Sequence, residues 1–597
     1  MSLSTETTRC DLCVVGGGMS GVCAAIAAAR RGLKVVLMQE RPMLGGNASS
    51  EIRMWICGCG GSNNRETGIL EELQLESLYR NPYKLYPVWD GLIYGKVIAE
   101  PNITLMLNCS CCKADMDGDK IKAVYGWQMT TQTWQKVEAD YFADCSGDSI
   151  LALLTGAEFR FGRESKYEFD EEISVTEPDS KTMGNSCLIQ ARKLDHEVTF
   201  RAPSFATKLT KEDVANRRPN LESSSENFWY LELGGDRNTI KDAETIRDEL
   251  VALAYGMWDY IKNSGEFDAA CWQLDFIGFL PGKRESRRLI GDHIMTQKEI
   301  SADTFFPDTV AYGGWPLDDH EPGGFWFRGH PNTNGYTPKP YKIPLSVLYS
   351  KNIENLWFAG RNISMTHAAM SSSRVMATCA LLGQAVGESC AVASKYKLTP
   401  RQTRKLHISE IQQNLMESDC FLPGFVREVS PICKTAKLSS KPKNIENLEN
   451  LRNGIDRDHR IYEGSQGVHI EKGCSVKYTL ANPTEVSKVR IVFDSDLDRN
   501  TLPGDLCERQ HTMRANVNTN SPVMTMPKTL IKSYKLTAQL ENGDETVLIE
   551  DKENIKRLIK INVSKKVKQL TLTLLSDWSE SGAYFDGKMN LFSFDFN

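Results

Sequence analysis

Leu12-Cys13-Val14-Val15-Gly16-Gly17-Gly18-Met19-Ser20-Gly21 decides how this 597-residue chain begins to fold. The four apolar residues read as a short buried strand, the glycines break the run, and the Ala-rich segment Val22 to Arg30 reads as a helix. After Gly32, Lys34 to Gln39 reads as a second strand, closed by Glu40. Strand, glycine turn, helix and strand in that order are the parts of a dinucleotide-binding unit. Gly16 permits the tight turn, Gly18 lets a pyrophosphate approach the backbone, and Gly21 lets the helix pack on the sheet. The N-terminus of that helix supplies N–H donors and a positive dipole end to the phosphates. Glu40 stands near the offset of about 20 residues expected of the acid that accepts ribose hydroxyls, and its charge disfavours a 2′-phosphate.

Composition narrows the rest. Hydrophobic residues make up 41% and charged residues 25%, which excludes a disordered or collagen-like chain. Lys plus Arg number 71 against 77 Asp plus Glu, so no positive field draws phosphate backbones and no nucleic-acid partner is expected. The 17 cysteines are scattered from Cys10 to Cys507, unlike a disulfide framework. Cys57-Gly58-Cys59 and Cys109-Ser110-Cys111-Cys112 lack the paired spacing of a thiolate metal site, and Cys10 and Cys13 sit in a strand pattern, so free thiols and no metal are expected. The apolar stretch Cys13 to Ala29 is broken by glycines and read as structure; no spanning helix and no membrane partner are expected. Met1-Ser2-Leu3 is compatible with a trimmed leader, so the expected compartment is cytoplasmic, or periplasmic or exported if a native leader was removed.

Three further segments separate FAD from NAD. The first runs from Glu40-Arg41 through Gly45-Gly46-Asn47, and the second is Phe142-Ala143-Asp144-Cys145-Ser146-Gly147-Asp148. The third is Asn355 to Ser364 with Gly360-Arg361, then Ser371-Ser372-Ser373-Arg374-Val375-Met376 and a long apolar helix to about Ala393. Together they resemble the FAD-dependent oxidoreductases of the glutathione-reductase structural superfamily, most closely a large bacterial family distantly related to fumarate reductase flavoproteins. The resemblance implies FAD as cofactor. It implies contacts from Gly16, Gly18, Met19, Ser20, Gly21, Glu40, Arg41, Gly45, Gly46, Asn47, Ser146, Gly147, Gly360, Arg361, Ser373 and Met376. Ile103 to Ala139 reads as a β-meander with a turn at Asp117-Gly118, and in such folds the backbone near Cys111 touches adenine. No second glycine fingerprint follows a strand, so a built-in NAD(P)H domain is not expected.

Residues 161–340 separate the cofactor motifs, and the resemblance implies a substrate lid there. Trp229, Trp258, Trp272, Trp315 and Trp326 crowd it, either as core or as a stacking surface. Within it, Arg284-Glu285-Ser286-Arg287 resembles a family motif; Arg284 and Arg287 could bind a substrate anion, or Glu285 could hold one of them in an internal pair. Among the scarce histidines, His367 falls where the closing motif passes the flavin ring and His320 follows an acid pair. Either could exchange a proton with a substrate while hydride passes to the flavin. His293, His330, Tyr336 and Tyr341 are weaker candidates, as is Cys57.

Thr399 and Pro400 open a helix to about Glu417, and the Lys-, Ser- and Pro-rich stretch 431–444 reads as a linker. From 445 to 597 the pattern is short alternating strands, including a hairpin across Asn542-Gly543. Val489 to Asp494 and Leu591 to Phe596 resemble galactose-binding-like, discoidin-type sandwiches. The expected fold class is α/β: a Rossmann-like FAD-binding domain (1–160 and 341–430) split by the insert, followed by an all-β sandwich (445–597). The expected function is FAD-dependent hydride transfer with a small polar substrate; a sugar or sugar acid is suggested by the sandwich alone. The alternatives are a flavoprotein isomerase or lyase without net redox, and a glycan-binding protein with a vestigial cofactor fold. The oligomeric state is not legible in the sequence.

Overall fold

The computed structural model describes residues 3–223, 226–336, 338–503, 513, 522–579 and 589–597. The described residues form two compact units. Met1–Gly60 and Lys84–Gln412 belong to the first; Gly61–Tyr83, Gln413–Gln510 and Val523–Asn597 belong to the second.

The first unit is organised by β1 (Thr5–Val15), α1 (Met19–Arg30), β2 (Val35–Met38), β3 (Ile103–Met106), β4 (Cys109–Asp117), β5 (Lys120–Gln128) and β6 (Thr133–Asp144). The sheet order is β3-β2-β1-β6-β5-β4. The strand Leu356–Phe358 also pairs with β6, parallel, over Phe142–Asp144. β3, β2, β1, β6 and this late strand run parallel and end at one level, with Val15 opposite both Met38 and Asp144, and Phe358 opposite Asp144. Their carboxyl ends therefore deliver Gly16, Gln39, Cys145 and Ala359 to one edge, where ligands bind in open sheets of this kind. Two expectations shift. β3 pairs with β2 in parallel, so the antiparallel meander begins only at β4. α1 starts at Met19, three residues earlier than the apolar pattern indicated, because Gly18 is already its N-cap.

The helix Met376–Tyr396 is long and apolar enough to cross a membrane, yet nearly all of it is buried as a core helix of this unit. The insert has its own core. Phe228, Tyr230, Trp258 and Trp272 pack around the helix Ala243–Asn263 and the strand pair Ile189–Lys193 with Trp272–Ile277. Asn185–Ser186 pairs on its two sides with Glu232–Leu233 and Gly282–Lys283, and Asp318–His320 pairs with Asn332–Asn334.

The second unit is an antiparallel β-sandwich built on two long strands, Ser475–Phe493 and Leu558–Asp577. Their mutual register breaks between Thr479 and Thr484 and again between Val486 and Lys488. One half pairs with Lys437–Lys441 and Ile531–Leu540, the other with Met589–Phe596. The Asn542-Gly543 hairpin forms as the sequence indicated, joining Ile531–Leu540 to Glu545–Asp551.

Two boundaries are corrected. The stretch 431–444 is not a linker: it holds the helix Pro431–Thr435 and the sheet strand Lys437–Lys441. Gly61–Tyr83 leaves the first domain, because the helix Ile69–Arg80 places Leu75 and Leu78 in the sandwich core. The same helix pairs buried Glu71 with Arg499 at 2.6 Å.

Candidate functional site

A cavity of about 640 Å³ lies at the carboxyl ends of the parallel strands of the first unit. Its first wall is made mostly of backbone. Gly16 has φ +104°, and a Cβ there would meet the Cys145 carbonyl oxygen at 2.4 Å, so only glycine lets β1 turn beside β6. Gly18 differs: the nearest atom to a Cβ is Gly46 Cα at 4.0 Å, leaving its exposed side open to the cavity. The Gly17 N–H donates to Gln39 Oε1 at 2.8 Å, and the Gly45 N–H donates to the Gly17 carbonyl at 2.8 Å. These bonds clamp the Gly45-Gly46 loop across the fingerprint.

Gly16, Gly18, Met19, Ser20, Glu40, Arg41, Gly45, Gly46, Asn47, Cys111, Ser146, Gly147, Gly360, Arg361 and Met376 all line this cavity. Gly21 does not: it packs against the Gly16 carbonyl as a helix-packing residue. Ser373 does not either; its buried hydroxyl lies 2.9 Å from Met365 Sδ. Asp144 ties the second motif together, accepting from the Ser146 hydroxyl at 2.7 Å and the Leu151 N–H at 2.8 Å. Asp148 accepts from Lys283 at 2.7 Å, Ser286 at 2.8 Å and Arg361 at 3.1 Å. Burial alone would raise its pKa, but Arg361 and Lys283 outweigh burial and bring it down to about 2.

The second wall is made of side chains, most of them from the insert, with Arg374 added by the closing motif. His320, nearly fully buried, places Nδ1 2.6 Å from Glu232 Oε2 and Nε2 3.5 Å from Asp318 Oδ2. Its ring meets the half-buried Trp229 edge-on, with centroids 5.3 Å apart. Arg284 faces Glu232 at 3.3 Å and donates to Ser186 Oγ at 2.8 Å and the Trp229 carbonyl at 3.1 Å. Arg374 donates to Asp318 Oδ2 at 3.0 Å, and Asn332 donates to Asp318 Oδ1 at 2.6 Å. Burial opposes the charge on Glu232 and on Asp318. Arg284 and His320 outweigh it for Glu232, His320 and Arg374 for Asp318, so both carboxyls are held below their ordinary range. Arg287 also lines the cavity, but its Nε is spent on the Asp148 carbonyl at 2.9 Å.

His367 is corrected. It does not line the cavity; it is buried between Glu285, 2.8 Å from Nδ1, and Asp319, 3.0 Å from Nε2. Burial lowers its pKa, but the two carboxylates outweigh burial and lift it to about 10, so at neutral pH it is a cation that cannot accept a proton. Glu285 holds Arg288 as well as His367, so the internal pair within the arginine motif falls on Arg288, not on Arg284 or Arg287. Among the weaker candidates, Cys57 lines the cavity, Tyr341 is buried with its hydroxyl 2.9 Å from Ser372 Oγ, His293 pairs with Glu299, and Tyr336 and His330 are exposed.

Sequence reasoning missed Glu232, Asp318 and Arg374. Asp318 stood in the acid pair before His320, and Arg374 lay inside the closing motif; Glu232 carried no local signal. The aromatic insert divides: Trp258 and Trp272 are core, Trp229 and Trp315 line the cavity, and Trp326 is exposed. The described cysteines are free thiols, and Cys507 lies outside the described residues. Among the described residues no group of His, Cys, Asp and Glu is arranged to hold a metal ion.

Parallel strand ends, a helix N-terminus and a glycine loop facing one cavity define a dinucleotide-binding enzyme. The chain belongs to the FAD dependent oxidoreductase family, whose model matches residues 11–415, and its cofactor is FAD. The residues present fit that group. The open face of Gly18 leaves room for a pyrophosphate beside the N-terminus of α1, Glu40 reaches the cavity, and the buried Nε atoms of Arg41 and Arg361 have no hydrogen-bond partner. A search of curated proteins finds no match. Among solved structures, a geranylgeranyl bacteriochlorophyll reductase-like protein from Thermoplasma acidophilum is similar over 69% of this chain and 86% of its own, at 12% identity and a TM-score of 0.30. An anhydrotetracycline hydroxylase from Streptomyces rimosus is similar over 32% of this chain and 39% of its own, at 14% identity and a TM-score of 0.22. The family 32 carbohydrate-binding module of Streptococcus pneumoniae EndoD is similar over 28% of this chain and 99% of its own, at 15% identity and a TM-score of 0.20.

Proposed function

We propose that this oxidoreductase transfers a hydride between its flavin and a small polar substrate, with His320 exchanging the substrate's hydroxyl proton. Bound FAD supplies a two-electron centre at N5. The observation that carries the reading is His320 on the cavity wall with buried Glu232 behind it, 2.6 Å from Nδ1. In the neutral ring the Nδ1 proton is donated to Glu232, which Arg284 helps keep ionised, and Nε2 is then the basic atom. A proton taken there leaves an imidazolium stabilised by Glu232 on one side and Asp318 on the other. Arg284 fixes Glu232 in turn and is a positioning residue in this scheme. Trp229 and Trp315 line the same cavity as His320.

The test is anaerobic. The purified yellow protein is mixed with polyols and sugars, and bleaching of the flavin band is followed. Bleaching by at least one of them in wild type, lost in His320→Ala with FAD content unchanged, is the expected result. Bleaching at the wild-type rate in His320→Ala would remove His320 from the chemistry.

A further inference from the structure

We propose that the insert side of the cavity takes a neutral polyhydroxylated ring, such as a pyranose, and discriminates against its carboxylate analogue. This rests on the reading of that wall as the substrate side, and it narrows the substrate from sugar or sugar acid to neutral sugar.

Charge compensation carries it. Two of the three guanidiniums on this wall already face a carboxylate, Arg284 meeting Glu232 at 3.3 Å and Arg374 meeting Asp318 at 3.0 Å, while the third, Arg287, donates its Nε to the Asp148 carbonyl at 2.9 Å. Arg284 is spent further on Ser186 Oγ and on the Trp229 carbonyl. His320 lies between the same two carboxylates, so the remaining imidazole has anions on both sides. A substrate carboxylate arriving here would have to break one of these pairs or sit beside Asp318 unpaired, and a buried unpaired charge is the costlier arrangement. The cavity's surplus of positive charge lies elsewhere, around Asp148, where Lys283 and Arg361 both converge beside the cofactor motifs.

A neutral polyol finds what it needs. Arg374 Nε is buried without a hydrogen-bond partner and can donate to a hydroxyl oxygen, while His320 Nε2 can donate to a hydroxyl or, in the neutral ring, accept from one. Three half-buried tryptophans, Trp55, Trp229 and Trp315, line the cavity with apolar surface suited to the C–H face of a sugar ring. Hydroxyls recognised by such buried polar groups discriminate strongly, because a ligand lacking them leaves those groups unpaired.

The experiment titrates the oxidised holoenzyme with glucose, galactose and mannose, and separately with glucuronate, galacturonate and mannuronate. Binding is read from perturbation of the visible flavin spectrum, and reduction separately from bleaching. At least one neutral sugar is expected to bind at a concentration tenfold or more below its uronate. Asp318→Asn, which removes the partner of Arg374, is expected to move that ratio at least tenfold toward the uronate. A uronate binding wild type as tightly as its neutral partner overturns the inference, as does silence from all six compounds. The wild-type comparison decides the matter even if Asp318→Asn fails to fold. Neutral-sugar binding without bleaching supports this inference while counting against hydride transfer. Bleaching by uronates alone does the reverse.

Discussion

The two walls of the cavity are built by opposite means. The nucleotide wall is backbone: a glycine turn at φ +104°, a helix N-terminus and a second glycine loop, all within the first 50 residues. The insert wall is side chains: Arg284, Asp318 and His320, joined by Arg374 of the closing motif and backed by buried Glu232, gathered from four separate segments into compensated pairs. A wall of N–H groups recognises what every dinucleotide has in common, whereas a wall of placed charges selects one substrate. Substitutions on the two sides should therefore fail differently.

The largest effect belongs to the insert wall. His320→Ala removes the only histidine among the described cavity-lining residues, and a positioned acid–base group is worth about 10²- to 10⁴-fold in rate. Stopped-flow flavin reduction should fall by that factor while the FAD-to-protein ratio stays at one. Loss of FAD in this variant would merge the two walls and break the comparison.

Behind that wall, His367→Ala should cost stability. It strips a cation from Glu285 and Asp319, and breaking a buried pair costs about 3–5 kcal/mol. The pH dependence follows from the sign of the shift. The folded pKa, about 10, lies above the ordinary 6.5, so this contribution is complete below about pH 6.5 and declines as pH rises toward 10. Urea unfolding of wild type between pH 6.5 and 10 should show the decline, and His367→Ala should remove that part of it. A variant with the wild-type slope would show that His367 is not the titrating group.

This asymmetry explains what was legible in the sequence. Gly16, Gly45 and Gly360 were readable because each answers to a local backbone demand, and Gly18 and Glu40 because they stand at set offsets in the same short fingerprint. Glu232 was not readable. It meets Arg284 because Glu232–Leu233 and Gly282–Lys283 both pair with Asn185–Ser186, a two-residue strand that no periodicity marks. His367 misled for the same reason: its position in the closing motif was right, but its partners Glu285 and Asp319 arrive from the insert and turn it into a buried cation. The helix Ile69–Arg80 left its expected domain because Leu75 and Leu78 pack with residues hundreds of positions later. The sandwich was legible as alternation, while its two long strands, Ser475–Phe493 and Leu558–Asp577, carry register shifts that interrupt that alternation.

On the nucleotide wall, Gly18→Val should leave folding nearly intact, since Gly18 has φ −67° and no atom within 4 Å except Gly46 Cα at the limit. The added side chain occupies the space beside the α1 N-terminus, and such overpacking costs about 1–3 kcal/mol, or roughly 5- to 150-fold in FAD affinity. Fluorescence titration of the apoprotein with FAD measures this directly. Unchanged affinity would mean that the open face of Gly18 is not where the cofactor lies.

The smallest effect comes from a glycine with no ligand to serve. Gly543 turns the sandwich hairpin at φ +87°, and a Cβ there meets nothing within 4 Å. Gly543→Ala should therefore show the bare price of the left-handed conformation, about 1 kcal/mol. That corresponds to a fall of about 2–4 °C in the melting temperature of a unit of this size. FAD affinity and flavin reduction should not change, because the hairpin lies in the second unit while the cavity is lined by the first. Gly18 and Gly543 then form a matched pair: one without conformational strain whose substitution costs ligand binding, the other with strain alone whose substitution costs only stability. If Gly543→Ala lowered FAD affinity as well, glycine losses would act through general destabilisation, and the Gly18 result could not be credited to space reserved for a cofactor.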